Sequence, residues 1–269
     1  MGSTVPEGHT IHRLARHHKA LLGGHEVRAA SPQGRFVEGA ALLDGQVLEG
    51  TDAWGKHLFH RYTGRTWLHV HLGLYGKFAE GPLPAPEPRG ALRLRLEGAG
   101  HYLDLRGPTR CELVTSAEKK EITDALGPDP LRPSADLTRA TARIGRSRTA
   151  IAALLMDQTA VAGIGNVYRA ELLYRHGVHP YRPGRDLDPQ VWREMWSDLV
   201  KLMQAGVRAG RIVTTERPDR ERRTGPARRS DAYYVYRRTG EACRRCGTPV
   251  AHAVLVARNL FWCPTCQPA

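Results

Sequence analysis

The sequence predicts an α+β protein that begins with a helix, continues as a β-rich domain and ends in a helical region followed by a cysteine module. Three observations carry this prediction. Short segments of β-type composition follow one another from residue 25 to about residue 116. Helical spacing of apolar residues replaces them after residue 136. Four of the five cysteines are paired close to the carboxyl end.

The charge of the chain indicates a polyanionic partner. Forty lysines and arginines stand against 27 acidic residues, so the 269-residue chain has a net charge of +13 and an isoelectric point of about 10.0. Such an excess is typical of nucleic-acid-binding proteins. No run of 18 apolar residues predicts a membrane span, and no apolar export signal is visible. We therefore expect a protein of the bacterial cytoplasm, associated with the nucleoid.

The first predicted element is an amphipathic helix. Apolar residues recur at helical spacing from His9 to Leu22, and Gly23-Gly24 predicts its end. Seven short strands follow, and such close spacing favours a β-sandwich or a barrel. The predicted strands are His25–Ala30, Gln46–Asp52, Leu58–Tyr62, Trp67–Leu72, Ala91–Leu96, Tyr102–Leu105 and Cys111–Thr115.

A stiff, proline-rich linker, Gly127–Pro133, predicts a domain boundary. Four helical patterns follow it. They are Leu137–Ile144, Thr149–Met156, Val167–His176 and Pro189–Ala209. The segment Arg217–Asp231 is rich in arginine and also contains proline and glycine, so we expect a mobile basic loop there.

Two Cys-x-x-Cys pairs form the strongest local motif. Cys243 and Cys246 are separated by sixteen residues from Cys263 and Cys266. A reducing cytosol favours such pairs as metal ligands over disulfides. Four thiolates at this spacing suit one Zn²⁺ in a closed structural site, with a redox pair as the alternative. Cys111 is left over, and we expect it to be a small core residue.

The Pro6-Glu7 pair ahead of the first helix has two interpretations. Proline at a free N-terminus is a secondary amine, which can form a Schiff base with an aldehyde carbon while a neighbouring carboxylic acid moves protons. Alternatively, the pair opens the helix, because proline suits the first helical position and an acid there suits the helix dipole.

Three polar side chains follow or lie among turn-forming residues. Two glycines lead to Asn166, a good N-cap, which predicts either a phosphate site at a helix start or an ordinary turn. Lys56 lies in a tight turn between strands. The alternative interpretation is that it is only a solvated surface residue. Arg258 lies beside aromatic residues on a hairpin between the cysteine pairs, which suits phosphate binding; a solvated turn is the alternative.

Two more groups lie at the end of the fourth predicted strand. Leu74 and Tyr75 are flanked by glycines, and such an apolar pair suits either a wedge between stacked bases or core packing. His69 and His71 alternate on one strand face. We expect them to be hydrogen-bonded or solvated and not to bind a metal, because the sequence places no third ligand beside them.

The order of these motifs resembles the formamidopyrimidine-DNA glycosylase and endonuclease VIII family of base-excision repair enzymes. The resemblance covers residues 6–267, and the Pro-Glu-Gly start leans toward the endonuclease VIII branch. It implies a helix plus β-sandwich domain at 6–126, a helix-two-turns-helix domain at 136–216 and a zinc finger at 233–267. It also implies a monomeric enzyme that holds damaged double-stranded DNA between its domains. The motifs are Pro6–Thr10, Gly55-Lys56, His71–Leu74, Gly163–Tyr168 and Phe261–Gln267.

The resemblance implies a DNA glycosylase that is also an abasic-site lyase acting by β,δ-elimination. By position, Pro6 resembles the family's Schiff-base nucleophile at the sugar C1′, and Glu7 its proton donor at the sugar. Lys56 matches the second proton donor and phosphate contact. Arg258 matches the finger residue that binds the phosphate and assists elimination.

Four positions resemble the family's DNA contacts. Asn166 matches a phosphate contact at a helix start, and Leu74 with Tyr75 matches the position that fills the hole left by a flipped base. Arg106 lies where the family places another void-filling arginine, although Gly107-Pro108-Thr109 departs from the commoner pattern after it. The preferred lesion stays open among oxidised pyrimidines, oxidised purines and abasic sites.

Five residues precede Pro6, and they matter because a proline nitrogen inside a peptide bond is an amide without a useful lone pair. Our hypothesis is that Val5 marks the true translation start, read from a GUG codon as methionine and then removed. Two alternative functions stay open. One is a non-catalytic lesion-binding protein of the same fold, if Pro6 stays blocked; the other is a zinc-finger transcription factor.

Overall fold

A computed structural model describes residues 6–269 of the chain, so the hypothesis about Met1–Val5 lies outside the described residues. The chain divides into two compact units, with the boundary between Ala125 and Leu126. The structure contains both helices and a mostly antiparallel sheet, which confirms the predicted α+β class. Among the described residues, no helix is long and apolar enough to cross a bilayer.

The first unit begins with the predicted helix, α1 (Gly8–Leu22). Its apolar face is buried, as Ile11 and Leu22 show. The helix ends at Gly23, where a Cβ would lie 2.4 Å from the main-chain oxygen of Lys19. The helix packs against the second and third strands of the sheet that follows.

Eight antiparallel strands follow α1. Their order across the sheet is β5-β7-β6-β1-β2-β3-β4-β8. All seven predicted strands are present within two residues of their predicted ends. The strands are β1 (Glu26–Ala30), β2 (Gln46–Trp54), β3 (His57–Tyr62), β4 (Trp67–His71), β5 (Lys77–Pro82), β6 (Leu92–Gly98), β7 (His101–Arg106) and β8 (Arg110–Val114).

Strand β1 joins the two halves of a sandwich. Its first residues pair with β2 and its last three with β6, so the sheet turns a corner within one strand. Leucines from both halves, such as Leu58 and Leu94, share one buried core. The sheet ends at β5 and β8, so this is an open sandwich and not a closed barrel.

One strand and two α-helices of the first unit were not predicted from the sequence. Strand β5 is largely exposed and lacks an apolar alternation that would identify it. Helix α2 (Val37–Leu43) is short. Helix α3 (Ser116–Asp124) begins with a capping box, in which the Thr115 hydroxyl accepts from the Glu118 main chain while the Glu118 carboxylate accepts from Thr115.

The second unit contains the four predicted helices, α4 (Leu137–Gly145), α5 (Ile151–Leu154), α6 (Asn166–Arg175) and α7 (Pro189–Ala209). Only α5 is markedly shorter than predicted. Helix α7 matches its prediction at both ends because Asp188 caps it, Pro189 opens it and Gly210, at φ 68°, closes it. The hairpin β9 (Ala251–Leu255) and β10 (Arg258–Trp262) follows near the end of the chain.

The predicted linker is not an exposed connector. Gly127 and Pro128 are buried in the second unit, where Gly127 N–H donates to Gln158 and Pro128 accepts from Ala162 N–H. A Cβ at Gly127 would lie 2.5 Å from the backbone of Ala160. The proline-rich segment therefore marks the boundary between the units but packs as part of the second one.

The helices and the cysteine module of the second unit share a single core. Residues of α6 and α7 lie in one buried cluster with Tyr234, Val250 and Phe261. The basic segment Arg217–Asp231 is irregular apart from one short 3₁₀ turn. Its last residue, Asp231, is fully buried and accepts from the main-chain N–H groups of Glu221 and Arg222.

Candidate functional site

The Pro6-Glu7 pair does not open α1 as the structural alternative predicts. The helix begins at Gly8, so Pro6 lies before the N-cap position instead of at the first helical position, and no acid lies in the first turn. Glu7 is the N-cap, yet its side chain makes no capping hydrogen bond. Glu7 is nevertheless fully buried. A buried carboxyl at the amino end of the helix therefore needs another explanation than capping.

Two contacts fix the direction of α1 along β2. Gly24 N–H donates to the Leu48 oxygen, and the Thr51 hydroxyl donates to the Ala15 oxygen at 2.6 Å. The helix therefore runs antiparallel to β2. The seven helical steps from Ala15 back to Gly8 span about 10 Å, and the three strand steps from Thr51 to Trp54 also span about 10 Å. The start of α1 thus lies level with the turn that follows β2.

That turn carries Lys56. Trp54 pairs with His57, so Gly55 and Lys56 form a two-residue turn, and Gly55 adopts φ 57°. Burial is the main cause that lowers the pKa of His57 to about 3 and the pKa of His71 to about 4. The positive charge of Lys56 nearby contributes to both decreases. Both rings are therefore neutral at physiological pH.

The turn that follows β4 exposes Leu74 and Tyr75. Tyr75 is 85% exposed and Leu74 39%, so the core-packing alternative is wrong for both. Glycines are required on each side of the pair. A Cβ at Gly76 would lie 2.2 Å from the Leu72 oxygen, and Gly73 adopts φ 67° with Thr109 against it. The backbone therefore holds an apolar pair outward.

Arg106 lies at the end of β7, and a Cβ at the next residue, Gly107, would lie 3.6 Å from the Tyr75 oxygen. The Arg106 guanidinium donates to Asp104 at 3.0 Å. Arg95 donates to the same buried carboxylate through two hydrogen bonds. Arg106 is therefore next to the exposed turn but is held by an ion pair.

The imidazoles of β4 are hydrogen-bonded, as predicted. His71 Nδ1 lies 2.9 Å from the Thr109 hydroxyl. His69 contacts two partners that sequence reasoning missed, with His57 Nδ1 and Glu112 Oε1 each 2.9 Å away. Neither partner is near His69 in sequence, and only the strand register brings them together.

In the second unit, the start of α6 is joined to the last hairpin. The Asn166 side-chain N–H donates to the main-chain oxygen of Asn259 at 2.9 Å, next to Arg258. Buried Arg169 donates to the same oxygen at 2.8 Å and to Asn166 Oδ1. The N-cap of α6 is Gly165, so the prediction that Asn166 caps the helix is wrong.

The glycine turn before α6 is organised by Gln158, which was not identified from the sequence. Its side-chain oxygen accepts from Gly163 N–H, and its side-chain N–H donates to the Ile164 oxygen, each at 3.0 Å. Gly163 adopts φ 88°. The two-glycine motif therefore needs a glutamine five residues upstream to hold its shape.

Arg258 is exposed at the first position of β10. The two residues of the hairpin turn, Val256 and Ala257, both adopt positive φ, 49° and 55°. This is the primed turn that matches the twist of paired strands. The turn and the bond to Asn259 together determine where the Arg258 backbone lies.

Three family models match consecutive parts of the chain. The formamidopyrimidine-DNA glycosylase N-terminal domain matches residues 5–111, the glycosylase H2TH domain matches 126–217, and the zinc finger found in FPG and IleRS matches 240–269. The chain belongs to the formamidopyrimidine-DNA glycosylase and endonuclease VIII family. It is thus a member of a family of DNA glycosylases, as its motifs predicted.

Relatives of both branches are similar over most of the chain. Endonuclease 8 1 of Mycobacterium tuberculosis is 50% identical over 98% of this chain and all of its own length. Formamidopyrimidine-DNA glycosylase of Thermus thermophilus is 33% identical over 84% of this chain and 85% of its own. A solved complex of Lactococcus lactis Fpg with DNA containing an abasic site covers 98% of this chain and all of its own, with a TM-score of 0.82 at 22% identity, which supports the fold.

The family's zinc finger includes the four paired cysteines, and their geometry fits one Zn²⁺. All four Sγ atoms lie within 4.8 Å of one another, with 3.8 Å between Cys243 and Cys266 and 3.4 Å between Cys246 and Cys263. Thiolates 2.3 Å from a tetrahedral ion lie about 3.8 Å apart. Four thiolates complete the coordination, so the ion is structural and offers no open position.

Buried side chains of α6 connect the family's helical domain to its finger. Glu171, which sequence reasoning missed, is fully buried and accepts from the main-chain N–H groups of Tyr234, Val235 and Tyr236 at 2.7–2.9 Å. The Tyr174 hydroxyl lies 3.1 Å from Cys243 Sγ. The only available signal for Glu171 was a carboxylate that directly follows Ala170 and precedes Leu172 and Leu173.

Proposed function

We propose that this protein is a bifunctional DNA glycosylase and abasic-site lyase that removes oxidised bases and cuts the strand by β,δ-elimination. Pro6 is the nucleophile, acting as the N-terminal residue of the mature chain. The observation that carries this proposal is the full burial of Glu7 directly after Pro6, level with the Lys56 turn. An amine, an acid and a cation at one end of the sandwich are the groups that the reaction needs.

The chemistry assigns a role to each group. The Pro6 nitrogen attacks the sugar C1′ and the base leaves with a proton; when the C1′–O4′ bond of the sugar then breaks, an iminium ion joins the sugar to the protein. Glu7 donates the proton that opens the sugar, and Lys56 is the second donor. The iminium acidifies C2′, so loss of that proton expels the 3′ phosphate and a further elimination expels the 5′ phosphate. Arg258 stabilises the phosphate as it leaves.

The exposed apolar turn supports a wedge role in the same reaction. A damaged base inside a duplex must leave the stack before it can be attacked. In our proposal Leu74 and Tyr75 fill the gap, Arg106 exchanges its bond to Asp104 for the opposite strand, and Asn166 contacts a phosphate. Damaged double-stranded DNA is the substrate of a monomer in the cytoplasm.

The proposal requires a free amine on Pro6. The family match from residue 5 supports a start at Val5 followed by methionine removal. Mass spectrometry of the protein from its natural host should give a chain that begins at Pro6. That chain should be fixed covalently to abasic duplex DNA by borohydride, whereas a matched chain that retains Gly2–Val5 should not. A native chain that begins at Met1 or Gly2 would leave only lesion binding.

The lesion is identified by a separate measurement. Base excision from duplexes that contain one oxidised pyrimidine or one oxidised purine, and strand cleavage of a duplex that contains one abasic site, rank the three substrates. Release of no base from any duplex, together with tight binding to the abasic one, would favour the non-catalytic lesion-binding alternative.

A further inference from the structure

A chain of three side chains leads from the surface of the sandwich to the Lys56 turn. Glu112 on β8, His69 on β4 and His57 on β3 lie side by side across three neighbouring strands. Glu112 Oε1 lies 2.9 Å from His69 Nδ1, and His69 Nε2 lies 2.9 Å from His57 Nδ1. The His69 side chain is 1% exposed, whereas the Glu112 side chain is 42% exposed, so the chain begins at a solvent-accessible carboxylate and continues into a buried imidazole.

The protons of this chain have one consistent arrangement. Glu112 also accepts from Arg110, and an ionised carboxylate can only accept, so His69 Nδ1–H donates to it. Burial lowers the pKa of His69, which leaves its Nε2 without a proton. His57 Nδ1–H therefore donates to His69 Nε2. The second nitrogen of His57 then carries a lone pair.

We propose that Glu112, His69 and His57 form a positioning chain, in which the Nε2 lone pair of His57 accepts a hydrogen bond from the Lys56 ammonium. The acceptor orients the ammonium and keeps it protonated. This inference rests on the proposed role of Lys56 as a proton donor. His57 is suited to the task because it follows Lys56 directly and pairs with His71, whose ring is 4.9 Å away.

The charged and titratable groups around His57 come from four secondary-structure elements and one turn. They are Lys56 in the β2–β3 turn, His69 and His71 on β4, Arg110 and Glu112 on β8, and, farther along the face, Asp52 on β2 with Lys119 on α3. The cations oppose protonation of His57, so the ring stays an acceptor. An acceptor beside an ammonium raises the pKa of the ammonium. Loss of the chain should therefore lower the pKa of Lys56.

The tautomer of His57 provides a direct test that needs no activity. In ¹⁵N-labelled protein at pH 7.5, long-range ¹H–¹⁵N spectra should show His57 and His69 as neutral rings protonated at Nδ1. In His69→Phe, which keeps a ring stacked on Phe59, His57 should shift toward the Nε2–H form. A wild-type His57 protonated at Nε2 would overturn the proposal even if the variant failed to fold.

Single-turnover base excision as a function of pH provides the second test. His69→Phe should lower the rate about tenfold at pH 8, and its alkaline limb should lie about one pH unit lower than in the wild type. Borohydride trapping on preformed abasic DNA should stay within about twofold, since it reports on Pro6. Trp67→Phe, on the same strand and face, should match the wild type.

The outcomes separate the two proposals. A wild-type rate and pH profile in folded His69→Phe would exclude the positioning chain while the repair function stands. Failure of the wild-type protein with a free Pro6 to trap abasic DNA would instead refute the repair function.

Discussion

Asn166 and Arg169, one helical turn apart on α6, both donate to the main-chain oxygen of Asn259, at 2.9 and 2.8 Å. This oxygen belongs to the residue after Arg258. The start of α6 and the last hairpin therefore determine together where the backbone of Arg258 lies. A hydrogen bond to a main-chain atom depends on the position of the finger and not on the side chain at residue 259.

Asn166→Ala should lower the free energy of unfolding by about 1–3 kcal/mol, because it removes two hydrogen bonds, one to the Asn259 oxygen and one from buried Arg169. Affinity for duplex DNA should fall as well, because Arg258 is less well placed. Urea denaturation and fluorescence anisotropy measure the two effects. Asn259→Ala keeps the main-chain oxygen and is the matched control, with stability close to the wild type. Equal destabilisation by both substitutions would contradict this account.

Glu171→Gln should be strongly destabilising. The carboxylate accepts from three main-chain N–H groups and the Thr214 hydroxyl, and an amide would point a donor at some of these donors. We expect the free energy of unfolding to fall by about 2–4 kcal/mol, the range for buried hydrogen-bonding groups that lose a charged partner. Urea denaturation checks this value. Glu194→Gln on the exposed face of α7 should change stability by less than about 0.5 kcal/mol.

Removal of the metal should unfold the second unit. Structural zinc contributes about 10–16 kcal/mol in finger peptides, and a whole domain is stable by only about 5–15 kcal/mol. Because the finger shares its core with α6, chelation should abolish hydrogen-exchange protection in α6 as well as in the finger. Elemental analysis should give one zinc per chain before chelation. Unchanged protection of α6 in metal-free protein would show that the shared core folds without the ion.

Tyr75→Ala should leave stability unchanged and weaken binding to damaged DNA. The side chain is 85% exposed, so its removal creates no cavity. If it fills the gap of a flipped base, the loss of base stacking should cost about 1–3 kcal/mol in affinity for abasic duplex. Anisotropy titration on abasic and undamaged duplexes measures the difference. An equal loss on both duplexes would indicate a general DNA contact instead of a wedge.

Acid should destabilise the first unit through its buried histidines. Burial lowers the pKa of His60 to about 4 and of His18 well below its usual value, and the two rings are hydrogen-bonded at 3.0 Å. Between pH 6.5 and 4 the unfolded chain therefore binds more protons, so stability falls as the pH falls. Each such histidine contributes up to about 1.4 kcal/mol per pH unit.

His60→Gln tests this effect through the slope of the free energy of unfolding against pH. The free energy of unfolding, measured by urea titration between pH 4.5 and 6, should depend less steeply on pH in the variant than in the wild type. The comparison of slopes is unaffected by any uniform loss of stability that the substitution causes. Identical slopes would mean that His60 does not take up a proton on unfolding.

The sequence by itself determined the elements whose local pattern has one interpretation. Helix α7 matched at both ends because its cap, its first proline and its final glycine are all local signals. The four cysteines identified the metal centre because their spacing leaves few other chemistries. The order of the motifs identified the family, since each motif carries part of one chemistry.

Only the tertiary structure decided the contacts between residues far apart in the chain. The partners of Glu171 lie more than 40 residues away, and the chain from Glu112 through His69 to His57 exists only in one strand register. Glu7 and Lys56 likewise lie at the same end of the sandwich only because of the way α1 packs on β2. Local propensity fixes a helix or a strand, but the pairing of distant elements depends on burial and register, which no short segment contains.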